Sequence, residues 1–300
     1  MEAHPATATS RSASGTWGRA HLPGAGLGLG IGTVALYLSL IVLLPLAAVV
    51  SEAFSEGLGH FWDQITSPLA ISTLELTVIC SLIVVVLNAF FGTILAWILV
   101  RDEFPGKSLV NAVIDLPFAL PTIVASLTLF ALYGNKSPVG IDIASTRAAV
   151  VVALMFVTLP FVVRAVQPLL LEMDREMEAA AASLGAGNLT IFRKIIFPNL
   201  LPGLAAGVAL AFARALGEFG SVLIFAGGLP STMVSSIFIR QQIESGNEVG
   251  ASAVSVVLLF ASLLLLACVT LIQRWAIRHD RGEVEVASTI MPNAGGGGGG

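Results

Sequence analysis

Four ionisable residues stand inside runs that are otherwise apolar: Asp115, Arg164, Arg214 and Glu218. A charge in hydrocarbon is costly, so each should face a helix bundle, a wet cavity or the headgroups, and such residues mark ion paths or helix-positioning pairs. Arg214 and Glu218 are four apart, the spacing at which a helix brings opposite charges together. They read either as a self-neutralising pair or as part of a gate. Arg164 can attract an anion, but it lies late in its run, and its long stem is expected to let the guanidinium snorkel to the headgroups. Pro117 and Pro121 each remove a helix hydrogen bond near one end of another run. Broken backbone at membrane depth is useful where it lines an aqueous path, although buried kinks without that role also occur. Thr122 and Ser126 then offer hydroxyls, either to an anion or to helix packing. Gly217, Gly220, Gly227 and Gly228 permit close helix contact and a backbone break after Phe225.

The elements that must position these residues follow from composition. Of 300 residues, 56% are hydrophobic and 11% charged, and the mean hydropathy is +0.90, so the natural solvent is mostly lipid. The net charge of -4 says little, because the charges are few. Windows long enough to cross hydrocarbon run from Leu22 to Ser51, Leu76 to Val100, Val110 to Leu132, Ala148 to Leu170, Leu204 to Phe225 and Gly250 to Ile272. The first lacks a small-residue cleavage site and reads as a membrane helix rather than a signal peptide. Six spans put both ends on one side. With the ends in the cytoplasm, ten Lys and Arg residues fall inside and three (Lys136, Arg147, Arg240) outside, as the positive-inside bias requires. Residues 1–22 and 281–300 read as disordered cytoplasmic tails flanking a membrane domain over 23–280. Cys80 and Cys268 lie in apolar runs and read as packed thiols, not as a disulfide or metal site.

Between the fourth and fifth spans the chain reads EMEAAAASLGAGNLTIFRKIIFPNLLPG, from Glu176 to Gly203. Residues 172–184 favour helix, Gly185 and Gly187 turn it, and Asn188 with Thr190 can start a second short helix. Pro198 and Pro202 argue against one long helix, so the segment reads as a helix, turn, helix elbow on the cytoplasmic face. It is either an ordinary capped loop or an element that docks a soluble partner. The chain has no GxxxxGK[ST] loop, EF-hand, zincin motif or G-x-S-x-G elbow, so energy for any chemical work must come from elsewhere.

The elbow resembles the cytoplasmic EAA loop of ABC-importer permeases. In the register anchored on Gly185, Ile195 takes the isoleucine position, Phe197 and Pro198 the Leu-Pro positions, and Ala179, Ala180 and Ala181 the Glu-Ala-Ala positions. Glu178 is one residue early, which rotates its side chain by about 100° from the usual place. In that family the loop is a coupling helix seated on the ATP-hydrolysing subunit. The resemblance therefore makes Glu178, Ala180, Ala181, Leu184, Gly185, Ile195 and Pro198 the coupling candidates within 172–203.

The resemblance extends from Gly26 to Arg278. DLPFALPTIVASLTLFALYG and ARALGEFGSVLIFAGGLP resemble signature stretches of the sulfate/thiosulfate permeases, and LYLSLIVLLPLAAVV those of their T-type branch. It implies an all-α membrane protein with the type I ABC-importer (MetI-like) permease fold, in a bacterial cytoplasmic membrane. It also implies a sister permease, two ATP-binding subunits and an extracytoplasmic sulfate-binding protein as partners, with ATP and magnesium on the ATPase and no cofactor on this chain. Such a subunit is a transporter rather than an enzyme and has no nucleic-acid partner. Pro117, Pro121, Thr122, Ser126, Arg214 and Glu218 are the translocation or gating candidates. The rivals are a molybdate or tungstate permease, an anion channel or carrier that works without ATP, and a structural membrane subunit.

Overall fold

The computed structural model describes the backbone from Ala25 to Ile290 and side chains from Gly30 to Leu271. The tail expected at 1–22 and the last ten residues lie outside the described residues, whereas 281–290, expected as tail, continue the final helix. Every described element is helical. In order they are α1 (Ala25–Leu38), a π turn (Ser39–Leu43), α2 (Leu44–Ala53), α3 (Gly57–Ile65), α4 (Pro68–Arg101), α5 (Lys107–Ala119), α6 (Thr122–Tyr133) and α7 (Arg147–Glu172). There follow α8 (Arg175–Ser183), α9 (Asn188–Ile191), a second π turn (Phe192–Ile196), α10 (Phe197–Leu216), α11 (Gly220–Leu223), α12 (Ser235–Glu244) and α13 (Glu248–Ile290).

Among the described residues, five helices are long and apolar enough to cross a membrane: Gly30–Ala53, Pro68–Arg101, Arg147–Glu172, Asn188–Leu216 and Glu248–Leu271. A sixth crossing exists if α5 and α6 are taken together, although their axes turn through 119° at the break. At 13 and 12 residues these halves are each about 20 Å long, too short to span hydrocarbon singly.

The chain divides into two units, residues 1–48 and 49–300. In the first, every described side chain is exposed and nearly all are apolar, the pattern of a helix whose solvent is lipid. The second holds two buried clusters, and α4 and α7 run through both. Leu76, Cys80 and Val84 of α4 meet Val150 and Leu154 of α7, with Val222, Phe225 and Val254, in the cluster towards the Arg147 end. Val85, Ala96 and Leu99 meet Val162, Val166 and Leu170, with Leu200 and Phe212 of α10, in the cluster towards the elbow. Asn88 bridges the helices between them by donating to Thr158 Oγ1 at 2.8 Å. Cys80 is buried as expected, but Cys268 is exposed on α13.

Small residues set the closest approaches, as in membrane packing generally. Gly203 and Gly207 put the α10 backbone against α7, and a Cβ on Gly207 would lie 2.8 Å from Ala165 Cβ and 3.0 Å from Val162 Cα. Both neighbours belong to a helix that cannot give locally. Gly207→Val is therefore expected to cost about 2 kcal/mol or more by overpacking, read as earlier unfolding of the purified chain in detergent titrations.

The proline expectation fails in α10. Asn188–Leu216 is one continuous apolar helix of 29 residues, so Pro198 and Pro202 do not end it, and the fifth span starts well before Leu204. The π turn at Phe192–Ile196 supplies the reason at Pro198. Its wider winding already displaces the carbonyls that a proline ring and its missing N–H would otherwise meet.

Candidate translocation and coupling sites

The third span breaks in its middle rather than near an end. Pro117 stays inside α5, and the chain opens at Leu120 (ψ 135°) and Pro121 (ψ 132°), both extended. The residue before a proline is driven out of the α region, which places the break at Leu120. Thr122 then opens α6 against Gly220, the first residue of α11, and any Cβ there would overlap Thr122 Oγ1 and lie 3.0 Å from Ile123 N. One turn on, buried Ser126 accepts hydrogen bonds from Ile224 N at 3.1 Å and Phe225 N at 3.0 Å, where α11 has ended. Two interrupted helices are thus joined by one hydroxyl. Ser126 serves backbone amides first, a use the sequence did not announce.

Arg214 and Glu218 do pair, but not on one helix. α10 ends at Leu216, Gly217 follows, and Glu218 turns back so that its Oε2 lies 2.6 Å from Arg214 Nη1. Its Oε1 accepts from Ser221 N at 2.9 Å, and its carbonyl accepts from Ser236 Oγ at 2.6 Å. The Glu218 side chain is 1% exposed and that of Arg214 35%, so the carboxylate is locked in protein while the guanidinium keeps an open side. A buried carboxylate persists only when it is paired and hydrogen-bonded.

Arg164 does not snorkel. Its Nε donates to Asp115 Oδ1 at 2.7 Å and Nη2 to Asp115 Oδ2. Nη1 donates to Gln167 Oε1 at 2.5 Å and Asn111 Oδ1 at 3.2 Å, and Nη2 also to the Asn111 carbonyl at 3.2 Å. A guanidinium has five N–H donors, so all are used inside this chain. The bidentate carboxylate supplies what a headgroup would have supplied. From sequence, Asp115 and Arg164 were visible as charges in separate spans, but nothing in their spacing matched them.

The elbow is built by ordinary capping. Asp174 Oδ1 accepts from Glu176 N at 2.8 Å, and two glutamates in the first turn suit the positive helix end. At the other end Ala186 N donates to Ala181 O at 3.1 Å and Gly185 N to Ala182 O at 2.9 Å, a Schellman closure. Gly185 sits at φ +86°, which a side chain resists, though the space around it is open. Glu178 is turned inward, where it accepts from Arg101 Nη2 at 2.5 Å; that guanidinium also lies 5.3 Å from the Trp97 ring centre and 3.7 Å from Met173 Sδ. Ala181 packs against the elbow-side core. Met177, Ala180 and Leu184, spaced i, i+3, i+7, present the outward stripe, with Leu184 89% exposed. Leu189 beside it is 71% exposed. Ile195 is half-buried in the π turn and Pro198 is exposed at the start of α10. The candidates thus split into an inner set that holds the elbow and an outer set free to meet something. No group of three or more metal-ligating side chains occurs among the described residues.

A broken span, a paired charge at a helix end and a short helix standing out between two spans define a membrane transport subunit. The chain belongs to the family described as binding-protein-dependent transport system inner membrane component, matched over residues 89–279. It is 41% identical to the sulfate transport system permease protein CysT of Escherichia coli (strain K12), over 84% of this chain and 93% of that protein. It is 43% identical to the protein of the same name in Synechocystis, over 81% and 88%, and 45% identical to a probable sulfate transport system permease of Chlorokybus atmophyticus, over 79% and 86%. In fold it is similar to a chain of a bacterial alginate ABC transporter bound to its periplasmic protein, with TM-score 0.68, 15% identity, and 81% and 92% coverage. It is also similar to a chain of the MetNI methionine ABC transporter, with TM-score 0.51, 22% identity, and 70% and 99% coverage. The fold is that of the ABC-importer permeases.

Proposed function

We propose that this chain is the pathway-forming permease subunit of an ATP-driven importer of sulfate or thiosulfate in a bacterial cytoplasmic membrane, with both termini cytoplasmic. The observation that carries the reading is the elbow. A short helix closed by capping at both ends and pinned inward by Glu178 presents Met177, Ala180 and Leu184 to a partner. The relatives' sulfate-permease names supply the substrate. A sister permease completes the pathway, two ATP-binding subunits seat on the elbows, and an extracytoplasmic binding protein delivers the anion. ATP and magnesium belong to the ATPase.

Closure of the ATPase dimer draws the elbows together and turns the permease pair outward, and hydrolysis returns it inward. The two membrane arginines carry no net charge into the route, because Asp115 and Glu218 neutralise them. A dianion then meets hydrogen-bond donors rather than a deep electrostatic well, and it can leave. The open side of Arg214 and the Thr122 hydroxyl beside Gly220 supply such donors. Selection belongs to the binding protein and passage to the pore.

The test is ATP hydrolysis by the four-component complex in liposomes, with sulfate, thiosulfate or molybdate on the binding protein. Stimulation by sulfate that needs this chain supports the reading. Stimulation by molybdate alone keeps the architecture and changes the substrate. Uptake without ATP, or an intact complex that no anion stimulates, overturns it.

A further inference from the structure

The break at Leu120 and Pro121 lies between two attachments of different kinds. On one side α6 is fixed to the cluster towards the Arg147 end, through Ser126 on the amides of Ile224 and Phe225, Thr122 on Gly220, and Leu129 beside Val150 and Phe225. On the other side α5 has a thin apolar anchor, Ile114 buried and Val110 partly buried against the elbow-side core. To that packing α7 adds the five-donor clamp of Arg164 on Asp115 and Asn111 of α5, with Gln167 of α7 as the fifth acceptor, and the Phe118 ring edge-on to Phe161 at 5.1 Å. Gln167 Nε2 closes the clamp on Asn111 Oδ1 at 3.3 Å.

The clamp stands close to the elbow. Arg164 is eight residues from the end of α7 at Glu172, about 12 Å along the axis, and only Met173 and Asp174 separate α7 from α8. The elbow is itself tied back to the end of α4 by Glu178 on Arg101. On α7, Pro160 falls between the residues of the two core clusters, at a point where the ladder lacks a hydrogen bond. The geometry therefore contains one cytoplasmic-half body, in which two ion pairs join the elbow, the end of α4, the last turns of α7 and α5. Its edge is the Leu120–Pro121 break.

We propose that the Arg164–Asp115 clamp is the positioning element that delivers displacement of the elbow to the broken span, so that α5 travels with α7 and the opening occurs at Leu120–Pro121. This rests on the ATP-coupled reading above. Arg164 then takes no part in binding the anion, for its donors are all spent within the chain. Packing alone would stabilise the fold; the clamp sets how much of each ATP cycle reaches the pathway.

The experiment uses the complete reconstituted complex and reads sulfate taken up per ATP hydrolysed. Wild type comes first, and its failure to couple at all condemns the parent reading, not the clamp. Arg164→Gln and Asp115→Asn are each expected to keep sulfate-stimulated hydrolysis while uptake per ATP falls roughly 10-fold, and the exchange Arg164→Asp with Asp115→Arg to recover most of that loss. A second arm does not depend on how those variants fold. In a Cys80→Ala, Cys268→Ala background, Phe118→Cys and Phe161→Cys are joined by a short bis-thiosulfonate, with the unbridged form as control. If α5 and α7 travel together, the bridge leaves uptake per ATP unchanged. Single variants with wild-type uptake per ATP, or a bridge that stops uptake and releases it on reduction, overturn the proposal.

Discussion

Leu184→Arg is expected to remove anion-stimulated ATP hydrolysis from the assembled importer while leaving the permease folded. Leu184 is 89% exposed and caps α8 only through its backbone, with its N–H donating to Ala180 O at 3.2 Å, so the substitution breaks no contact inside the chain. A buried apolar anchor at a protein interface contributes about 2 kcal/mol or more, and a charge in its pocket adds desolvation, so affinity for the ATPase should fall about 30-fold or further. The measurement is ATPase retained on the purified permease pair, together with basal and stimulated turnover. Gly185→Trp is a poorer probe, because at φ +86° any side chain strains the Schellman closure and deforms the elbow. Retention of the ATPase at wild-type affinity by Leu184→Arg would move the docking surface away from the elbow.

The second large effect is at the end of α10. Arg214→Met leaves Glu218, 1% exposed, without its cation and with only the Ser221 amide and the main-chain contacts around it. Removing one partner of a fully buried pair costs about 3–5 kcal/mol because the other charge stays desolvated, and with Arg214 35% exposed the loss lies at the lower end, about 3 kcal/mol. The single variant should therefore lose most folded protein. Arg214→Met with Glu218→Gln, which keeps an acceptor for Ser221 N, should regain much of it. Fluorescence-detected size exclusion and thermal unfolding in detergent read both. The double variant also separates stability from transport: a folded complex that no longer moves sulfate assigns the open side of Arg214 to the pathway. One that transports normally leaves the pair a helix-end lock.

Composition and window length already placed this chain in a membrane as helices, because continuous apolar windows of about 20 residues fit a crossing helix whose backbone satisfies itself within the segment, whereas a barrel strand crosses in about 10 alternating residues. The elbow was legible for a similar reason. Gly185 and the alanine-rich run act through their nearest neighbours, so local sequence encodes the turn and the helix before it, although the helix starts at Arg175 behind an Asp174 cap rather than at 172. The same locality misled at Pro198 and Pro202, because a helix held by packing keeps a proline at the cost of a hydrogen bond, as α7 does at Pro160 and Pro168, and at Pro198 the π turn of Phe192–Ile196 also widens the preceding turn. Glu178 and Arg101 are 77 residues apart, and Arg164 and Asp115 are 49 apart. No periodicity relates residues at such separations. Their pairing exists only because α7 lies against both α4 and α5, and the packing of α6 on α11 likewise sends Ser126 to the amides of Ile224 and Phe225. The sequence by itself determined which residues are too polar to face lipid. Only the tertiary structure decided which of them neutralise each other, since a buried charge takes the partner that packing brings within reach.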